Sequence, residues 1–382
     1  MPRWLCWPGG TTPPDASARA WPFAAGLAAG VALDALLGDP RRFHPVAGFG
    51  RAAAALEARD YADSRLRGAA HAAACVLAVA APAAFLHRRT RGRPPSRAAA
   101  AALAVWAVTG ARSLHHEAER AMVSLVGHDL PAARRVLPSL CGRDPAGLDA
   151  TQITRAVIES VAENTCDAVV APLLWGAVAG LPGLVAYRAV NTLDAMVGYR
   201  SPRYLRFGWA SARLDDVANW VPARVTAALT VACAAVVPLP GTSAQGPSAE
   251  GHPVPGPAAA AVRAVLRDGA RHPSPNAGRC EAAFAGALGL RLGGTNVYGG
   301  VAEVRPGLGE GRVPEPADIR RAVRLSQAVT VAATGLAVLI ALTGARRTRS
   351  PIGRAPRWRP TRAGAARIPR RTGRGRPAGA GA

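Results

Sequence analysis

The sequence predicts an all-α, polytopic integral membrane protein with interfacial or re-entrant helices around a polar site. Hydrophobic residues make up 49% of the chain, and they are concentrated in long runs rather than spread evenly. Carboxylates, amides and arginines recur directly beside these runs. Such groups are costly to bury without partners, so their position beside apolar helices indicates a site.

Six apolar runs define the predicted membrane helices: 21–37, 69–86, 98–111, 168–190, 225–240 and 325–343. A span needs about 20 apolar residues, so runs 69–86, 168–190 and 325–343 suffice or nearly so. If all six runs crossed, the polar segments between them would alternate between the two membrane faces. A single site built from these segments therefore requires at least two runs to be re-entrant, interfacial or buried.

The composition of the ends and of one internal segment predicts the domain organisation. Residues 1–20 and 345–382 are predicted to be disordered tails around a membrane-embedded catalytic domain at 21–344, which carries a flexible Pro/Gly/Ser-rich insertion at 241–260. The C-terminal tail is rich in arginine, and so is the loop at 88–97. The positive-inside rule places both on the cytoplasmic side. The net charge of +23 therefore indicates topology, and nucleic acid is not an expected partner.

The first candidate constellation follows one face of a predicted helix. Arg155, Glu159, Glu163 and Asp167 are spaced by four residues, with Asn164 adjacent. Carboxylates at this spacing repel one another unless a cation lies between them. Mg²⁺ is typically held by one or two carboxylates together with phosphate oxygens, so the pattern suits a magnesium–nucleotide site. A solvated helix face, with Arg155 as the charge partner, is the alternative.

Two further constellations follow along the chain. Asn191 and Asp194 end an apolar run, where they could simply satisfy backbone groups at a helix terminus. Arg213 lies beside Asp215 and Asp216. That arginine forms either an ordinary ion pair or a contact that neutralises a transferring phosphoryl group.

The last two constellations contain turn-forming residues. Ser274, Asn276 and Glu281 precede a glycine-rich stretch at 286–300. Glycines there let backbone N–H groups approach a ligand, although close helix packing by small residues is an alternative. Asp39 and His44 follow the first apolar run, where a capped turn is the simpler interpretation.

In this order, these blocks resemble the CobD/CbiB family of cobalamin biosynthesis, the adenosylcobinamide-phosphate synthases. The resembling strings are LDALLGDPRRFHPV, ESVAENTCDAVVAPL, AVNTLDAMVGYR, FGWASARLDDVANWVPAR and SPNAGRCEAAFAGALGLRLGGTNVYGG. They cover residues 27–300 and together are highly specific. The departures from the family pattern remove no carboxylate, and they are Cys166, Ala168, Arg279, Cys280, Thr295 and Val297.

The resemblance implies a multi-pass ligase of the cell membrane whose site faces the cytoplasm. Its family joins adenosylcobyric acid to (R)-1-aminopropan-2-ol or its O-phosphate through an amide bond. These two substrates, the lipid bilayer and other late membrane enzymes of the pathway are the expected partners. Because a carboxylate must be activated before an amine attacks it, Mg²⁺ and ATP are the expected cofactors, acting through an acyl phosphate. A corrinoid transporter and a non-catalytic scaffold are the competing classes.

Candidate site residues follow from the resemblance together with the chemistry. The expected catalytic residues are Glu159, Glu163, Asn164, Arg213, Asp215 and Asp216. The expected metal ligands are Glu163, Asp167 and Asp216. The expected substrate contacts are Asp39, His44, Asn191, Asp194, Ser274, Asn276, Glu281, Gly293, Gly294, Asn296 and Tyr298.

Overall fold

The computed structural model describes residues 16–40, 44–238, 256–298 and 301–347, and the side chains at 16–19, 296–298, 301–302 and 345–347 lie outside that description. The described residues are mainly helical. In chain order the helices are α1 (Ala16–Leu37), α2 (Pro45–Asp60), α3 (Arg65–Arg89), α4 (Pro94–Val108), α5 (Ala111–Val126), α6 (Leu130–Val136), α7 (Ala150–Thr165), α8 (Ala171–Val197), α9 (Tyr204–Phe207), α10 (Trp209–Ala218), α11 (Trp220–Val236), α12 (Pro257–Asp268), α13 (Ala277–Leu288) and α14 (Pro316–Arg347). A single π-helical turn, Cys166–Val170, joins α7 to α8.

Four segments are long and apolar enough to cross a membrane: Ala20–Leu37, Arg65–Arg89, Ala150–Val197 and Pro316–Gly344. Helices α10 and α11, which meet at an angle of 43°, form a fifth if they act as one broken span. The predicted polytopic, helical membrane protein is therefore confirmed.

A hairpin of two antiparallel strands, β1 (Leu292–Tyr298) and β2 (Val301–Leu308), is the one addition to the helical fold within the described ranges. The glycine-rich stretch predicted as a ligand loop divides between two structures. Gly286 lies inside α13, where a Cβ atom would be 2.5 Å from the carbonyl oxygen of Ala260 in α12. That contact is the small-residue helix packing predicted as the alternative. Gly293 and Gly294 belong to β1.

The long segment at 171–197 is a helical hairpin rather than one straight helix. Gly180 has φ 70° and ψ −158°, which interrupts α8. The side-chain nitrogen of Asn191 lies 3.1 Å from a carboxylate oxygen of Asp167, although the two residues are 24 positions apart. In a straight helix that separation spans about 36 Å. Run 168–190, which by length alone could span, therefore turns back on itself, in keeping with the expectation that at least two of the six runs do not simply cross.

Helices α1 and α4 pack closely through two glycines one turn apart. A Cβ atom on Gly26 would lie 2.5 Å from the Ala98 carbonyl oxygen, and one on Gly30 would overlap the Val105 side chain. Small residues at this spacing let the backbones of membrane helices approach each other. The short predicted run at 98–111 is therefore held mainly by its contact with α1.

The helix bundle has two distinct ends. At the first, called the arginine end, the Phe23 and His87 rings are 5.5 Å apart and Arg97 lies 5.5 Å above the Phe23 ring. The Gly180 turn also contacts the His87 imidazole. At the second, called the polar end, the backbone N–H of Arg112 donates to Asp34 at 3.2 Å. From Phe23 to Asp34, α1 rises about 16 Å, which separates the two ends.

The boundaries of the predicted tails and insertion are shifted by a few residues. Helix α1 begins at Ala16, α12 begins at Pro257 and α14 ends at Arg347, so each helix extends into a segment predicted to be unstructured. The rest of the predicted tails and insertion lies outside the described residues.

Candidate functional site

Helix α7 presents the predicted carboxylate face at the polar end. It begins at a capping box, in which Asp149 accepts from the Gln152 N–H at 2.8 Å and the Gln152 side chain accepts from the Asp149 N–H at 2.9 Å. This cap fixes the start of the helix and hence the direction of every side chain along it.

Glu159 on this face is buried and saturated with partners. One carboxylate oxygen pairs with Arg143, and the other accepts from the backbone N–H of Gly293 at 2.7 Å. Arg155 approaches the same carboxylate at 3.8 Å and donates to the Thr295 carbonyl at 2.8 Å. The structure therefore shows Glu159 anchoring β1 against α7.

Gly293 and Gly294 are required for that anchor. Their φ angles are 84° and 103°, a region that favours glycine. A Cβ atom on Gly294 would lie 2.5 Å from a guanidinium nitrogen of Arg155. Asn296 and Tyr298 follow in the same strand, but their side chains lie outside the described part of the structure.

Asn191 links the next two carboxylates. Its side-chain nitrogen donates to Asp167 at 3.1 Å and to Asp215 at 3.3 Å. The π-helical turn places Asp167 toward α8, and the Gly180 turn brings Asn191 back to it. Turns of this type inside helices are frequent at functional sites. Three predicted residues from three separate segments therefore meet at one point.

Asn219 and Tyr187 hold the far side of Asp215. The Asn219 amide donates to the second oxygen of Asp215 at 3.0 Å and accepts from the Tyr187 hydroxyl at 2.8 Å. Asp215 therefore accepts from two amides, which fixes the orientation of its carboxylate.

Glu163 and Asp194 complete the acidic cluster, defined here as Glu163, Asp167, Asp194, Asp215 and Asp216. Glu163 lies within electrostatic range of Asp215, and Asp194 within range of Asp215, Asp216 and Glu163. The side chains of Arg143 and Arg305 offset part of this charge at Glu163. Within the described ranges, no three His, Cys, Asp or Glu side chains are placed to hold a metal ion. The predicted ligand set is therefore not preformed as a cage.

Two other predicted residues, Asn164 and Arg213, have visible structural partners. The amide of Asn164 donates to the carbonyl and hydroxyl oxygens of Ser160 at 2.9 and 3.1 Å. Arg213 pairs with Asp216 at 3.4 Å, and its side chain is 67% exposed. The ion pair predicted as the simpler alternative for Arg213 is thus present, and its guanidinium lies at the surface.

The start of α13 contributes Ser274 and Asn276. The Ser274 hydroxyl oxygen accepts from the N–H groups of Asn276 and Ala277 at 3.3 and 3.1 Å, which caps the helix. The Asn276 side-chain N–H donates to the Asp216 carbonyl at 2.8 Å, so α13 is tied to α10. The Asn276 side-chain oxygen is buried and has no hydrogen-bond partner among the residues described.

Glu281 and His272 form a buried pair behind the acidic cluster. The His272 Nε2 atom is 3.9 Å from Glu281 Oε1 and 3.1 Å from Arg305. Burial raises the pKa of the Glu281 carboxyl well above its usual range, and Glu159 and Glu163 raise it further. Burial and the charge of Arg305 lower the pKa of His272. Both effects favour an uncharged acid beside an uncharged imidazole.

Asp39 and His44 lie at the edge of the site. They face each other at 3.7 Å, and His44 Nδ1 accepts from the Val46 N–H at 3.2 Å, which caps α2. Arg188 lies within electrostatic range of Asp39 and Asp167 and donates to the Asn191 side-chain oxygen at 3.3 Å. Arg188 therefore connects this turn to the acidic cluster.

Comparison with known proteins identifies the family to which the chain belongs. A model described as CobD/Cbib protein matches residues 27–326. The chain belongs to the CobD/CbiB family. It is 54% identical over 317 residues to the cobalamin biosynthesis protein CobD of Mycobacterium tuberculosis, covering 83% of this chain and 95% of that protein. A protein of the same name from Geobacter metallireducens is 45% identical over 288 residues, covering 73% of this chain and 84% of that protein. No solved structure matches.

The CobD/CbiB match covers every site residue described above. Two of the departures from the family pattern meet in the core, because Cys166 and Cys280 belong to the same buried cluster. The Cys166 thiol donates to the Asn219 side-chain oxygen at 3.9 Å, and the Cys280 thiol donates to the Ala223 carbonyl at 3.8 Å. Both are buried, and Cys166 directly precedes Asp167.

Sequence reasoning missed several residues of this CobD/CbiB-family site. They are Arg143, Tyr187, Arg188 and Arg305. Arg188 and Tyr187 lie inside apolar run 168–190, so a charge within that run was the available signal. Arg143 and Arg305 carry no such signal, since all 47 basic residues of the chain are arginine.

Proposed function

We propose that this chain acts in cobalamin biosynthesis, where it forms an amide between a corrinoid carboxylate and aminopropanol or aminopropanol phosphate. Family membership and the names of the relatives support the pathway. The observation that carries the chemistry is the bridge from Asn191 to Asp167 and Asp215. It brings together two carboxylates and an amide from three segments, where a simple membrane anchor would need none.

The acidic cluster fits a magnesium–nucleotide complex better than a bare ion. Glu163, Asp194 and Asp215 lie close enough to repel one another, and a divalent cation relieves that repulsion. Mg²⁺ bound to phosphate oxygens needs only one or two protein carboxylates, so a preformed cage is not required. Glu163, Asp167 and Asp216 are the proposed ligands. When bound, Mg-ATP would supply the phosphoryl group that activates the corrinoid carboxylate, with ADP as the leaving group, and the attacking amine would then displace inorganic phosphate from the acyl carbon.

The remaining side chains orient and balance charge around that group. Asn191 and Asn219 hold Asp215 in a fixed orientation. Arg305 and Arg143, both facing Glu163, are placed to stabilise negative charge on phosphoryl oxygens. A cluster carboxylate that does not bind the cation accepts the proton released by the attacking amine. The unpartnered side-chain oxygen of Asn276 offers an acceptor to an amine or amide N–H of a substrate.

The test is reconstitution of the full chain in lipid nanodiscs. ATP consumption is measured with adenosylcobyric acid and aminopropanol phosphate, together and with each omitted, and the corrinoid product is identified by mass spectrometry. We expect ATP consumption and a new amide only when both substrates are present. Free aminopropanol replaces its phosphate in a parallel series and decides which amine is used.

Two results would contradict the proposal. Corrinoid uptake into proteoliposomes without a product would indicate a transporter. Corrinoid retention with neither ATP consumption nor product would indicate a binding scaffold.

A further inference from the structure

Helix α10 is amphipathic in the opposite sense to a surface helix of a water-soluble protein, because its polar face points into the bundle. Its inner face carries buried Ser211 and half-buried Asp215, and buried Asn219 follows directly after it. Its outer face is mainly apolar: Val217 is 74% exposed, and Trp220 at the start of α11 is 54% exposed. Arg213 also lies on this side, and its exposed guanidinium pairs with Asp216. Trp209, Leu214 and Val221 are exposed on the same outer side. Exposure of these large apolar side chains to water would be unfavourable in free energy.

The position of α10 along the bundle matches a membrane surface. Gly68, in the first turn of α3, packs directly against the carbonyl of Phe207, two residues before α10 begins. Helix α3 has 25 residues, so its length of about 37 Å exceeds the roughly 30 Å of hydrocarbon in a bilayer. The first turn of α3 therefore lies at the boundary of the hydrocarbon, and α10 starts at that depth.

The two outward tryptophans are each paired with an arginine. The guanidinium carbon of Arg65 lies 5.4 Å from the Trp209 ring, and that of Arg224 lies 4.0 Å from the Trp220 ring. Tryptophan is enriched where acyl chains meet headgroups, and arginine near a helix end directs its charge toward lipid phosphates. The Trp175 indole N–H also donates to the Ala218 carbonyl at 3.0 Å, which fixes α10 against α8.

We propose that α10 and the first turn of α11 form a lipid-contact surface in the headgroup region of the bilayer. Leu214, Val217 and Trp220 face acyl chains, while Arg65 and Arg224 face phospholipid phosphates. The acidic cluster then lies directly behind a wall whose outer side is lipid. Asp215 and the exposed face of Val217 are separated only by the thickness of one helix.

The experiment measures contact with lipid at Val217. A nitroxide is attached to Val217→Cys in nanodiscs of mixed zwitterionic and anionic phospholipid. Its relaxation is compared in the presence of oxygen, which partitions into acyl chains, and of a water-soluble nickel chelate. Val304→Cys in β2 is the matched control. Val304 is 78% exposed, and it lies in the β-hairpin that packs against α7. The wild-type chain, labelled in the same way, gives the background from its six cysteines.

We expect oxygen to relax the Val217 label more than the nickel chelate does, with the reverse order at Val304. Val221→Cys should behave like Val217 and keeps the test valid if one variant does not fold. Nickel access at 217 and 221 equal to that at 304 would overturn the proposal. Protection of both positions from both reagents would also overturn it, because that result means that a second protein chain covers the face.

Discussion

At the scale of single residues, Asn191 determines whether the acidic cluster can form. Its one side-chain nitrogen serves both Asp167 and Asp215. Replacement by alanine leaves two half-buried carboxylates without that donor, and removal of a shared donor typically costs about 1–3 kcal/mol. We expect Asn191→Ala to lower the unfolding temperature in nanodiscs and to abolish amide formation.

Thr192→Ala is the matched control for Asn191. Within the described part of the chain, the Thr192 hydroxyl donates to the Arg188 carbonyl of the same helix at 2.7 Å and to no other group. Near-wild-type stability and activity are expected for this variant. Equal losses of stability and activity in both variants would show that disturbance of the helix, and not loss of the Asn191 bridge, causes the effect.

A substitution at Glu163 tests whether its carboxylate is catalytic or structural. Glu163→Gln keeps the shape and removes the charge that the proposed magnesium–nucleotide complex requires. Loss of a charge that stabilises a transition state typically lowers the rate by about 100-fold or more, so product formation should fall by that factor. Asp63→Asn is the control, because Asp63 forms an exposed ion pair with Arg206. Full activity of Glu163→Gln would remove this residue from the mechanism.

The residue pattern predicted the location of the site better than the role of each member. The four-residue spacing correctly placed Glu159 and Glu163 on α7, but spacing carries no information on partners from distant segments. Glu159 meets Arg143 and the Gly293 N–H, and these contacts depend on the position of the β-hairpin, which was not predicted. A carboxylate held by an arginine and a backbone amide looks the same in sequence as one held ready for a cation.

At the scale of elements, the packing of α5 on α14 should depend on pH. His115 is buried and hydrogen-bonded to Ser326 at 2.8 Å. Burial lowers its pKa from 6.5 to about 4. Between these values the unfolded chain binds a proton that the folded chain does not bind. The contribution of His115 to the free energy of unfolding is therefore fully present above pH 6.5 and is lost as the pH falls through 4. The loss is on the order of 3 kcal/mol.

Thermal unfolding between about pH 7 and pH 4.5 measures this dependence. His115→Gln should flatten the decline in unfolding temperature with acidification. His116→Gln replaces the exposed neighbour and should keep the wild-type slope. An unchanged slope in His115→Gln would show that another group causes the acid sensitivity.

The contact between α1 and α4 depends on the absence of a side chain at Gly26. An added methyl group would meet the Ala98 carbonyl oxygen at 2.5 Å, and a backbone atom cannot move aside cheaply. Overpacking of this kind typically costs about 1–3 kcal/mol, so Gly26→Ala should lower the unfolding temperature. Gly48→Ala is the control, because its Cβ atom would meet nothing within 4 Å. Equal stability of the two variants would contradict the tight α1–α4 contact.

Helix positions were predictable because apolar runs are a composition signal, whereas the turn inside α8 was not predicted. The residues Gly180, Pro182 and Gly183 interrupt run 168–190, and they are the signal that could have located the turn. Their effect depends on whether the second arm finds a partner. Here it does, through the bond from Asn191 to Asp167.

At the scale of the whole molecule, the separation of the two ends of the bundle predicts that they face opposite sides of the membrane. The loop at 88–97 lies at the arginine end, while Arg200 follows α8 at the polar end with the site. The expectations that this loop and the site both face the cytoplasm therefore exclude each other. Because ATP is cytoplasmic, we expect the polar end to face the cytoplasm, and the arginines at 200, 203 and 206 supply positive charge there.

Cysteine labelling from the outside of intact cells decides this orientation. Arg91→Cys and Arg200→Cys both replace exposed arginines, and an impermeant maleimide should reach only one of them in intact cells. We expect Arg91→Cys to be the accessible one. Labelling of both from the same side would contradict the separation of the two ends.

The turn at Gly180 also has a consequence for how the protein is made. The ribosome synthesises Asp167 before the amide that pairs with it, since Asn191 comes 24 positions later. During that interval the π-helical turn that precedes α8 carries an acid beside the apolar first arm, with no amide yet available to donate to it. We therefore expect stable insertion to wait until the second arm has been translated, so that both arms enter the bilayer as a unit. Biogenesis of this protein is thus expected to include a step in which translation runs ahead of membrane integration.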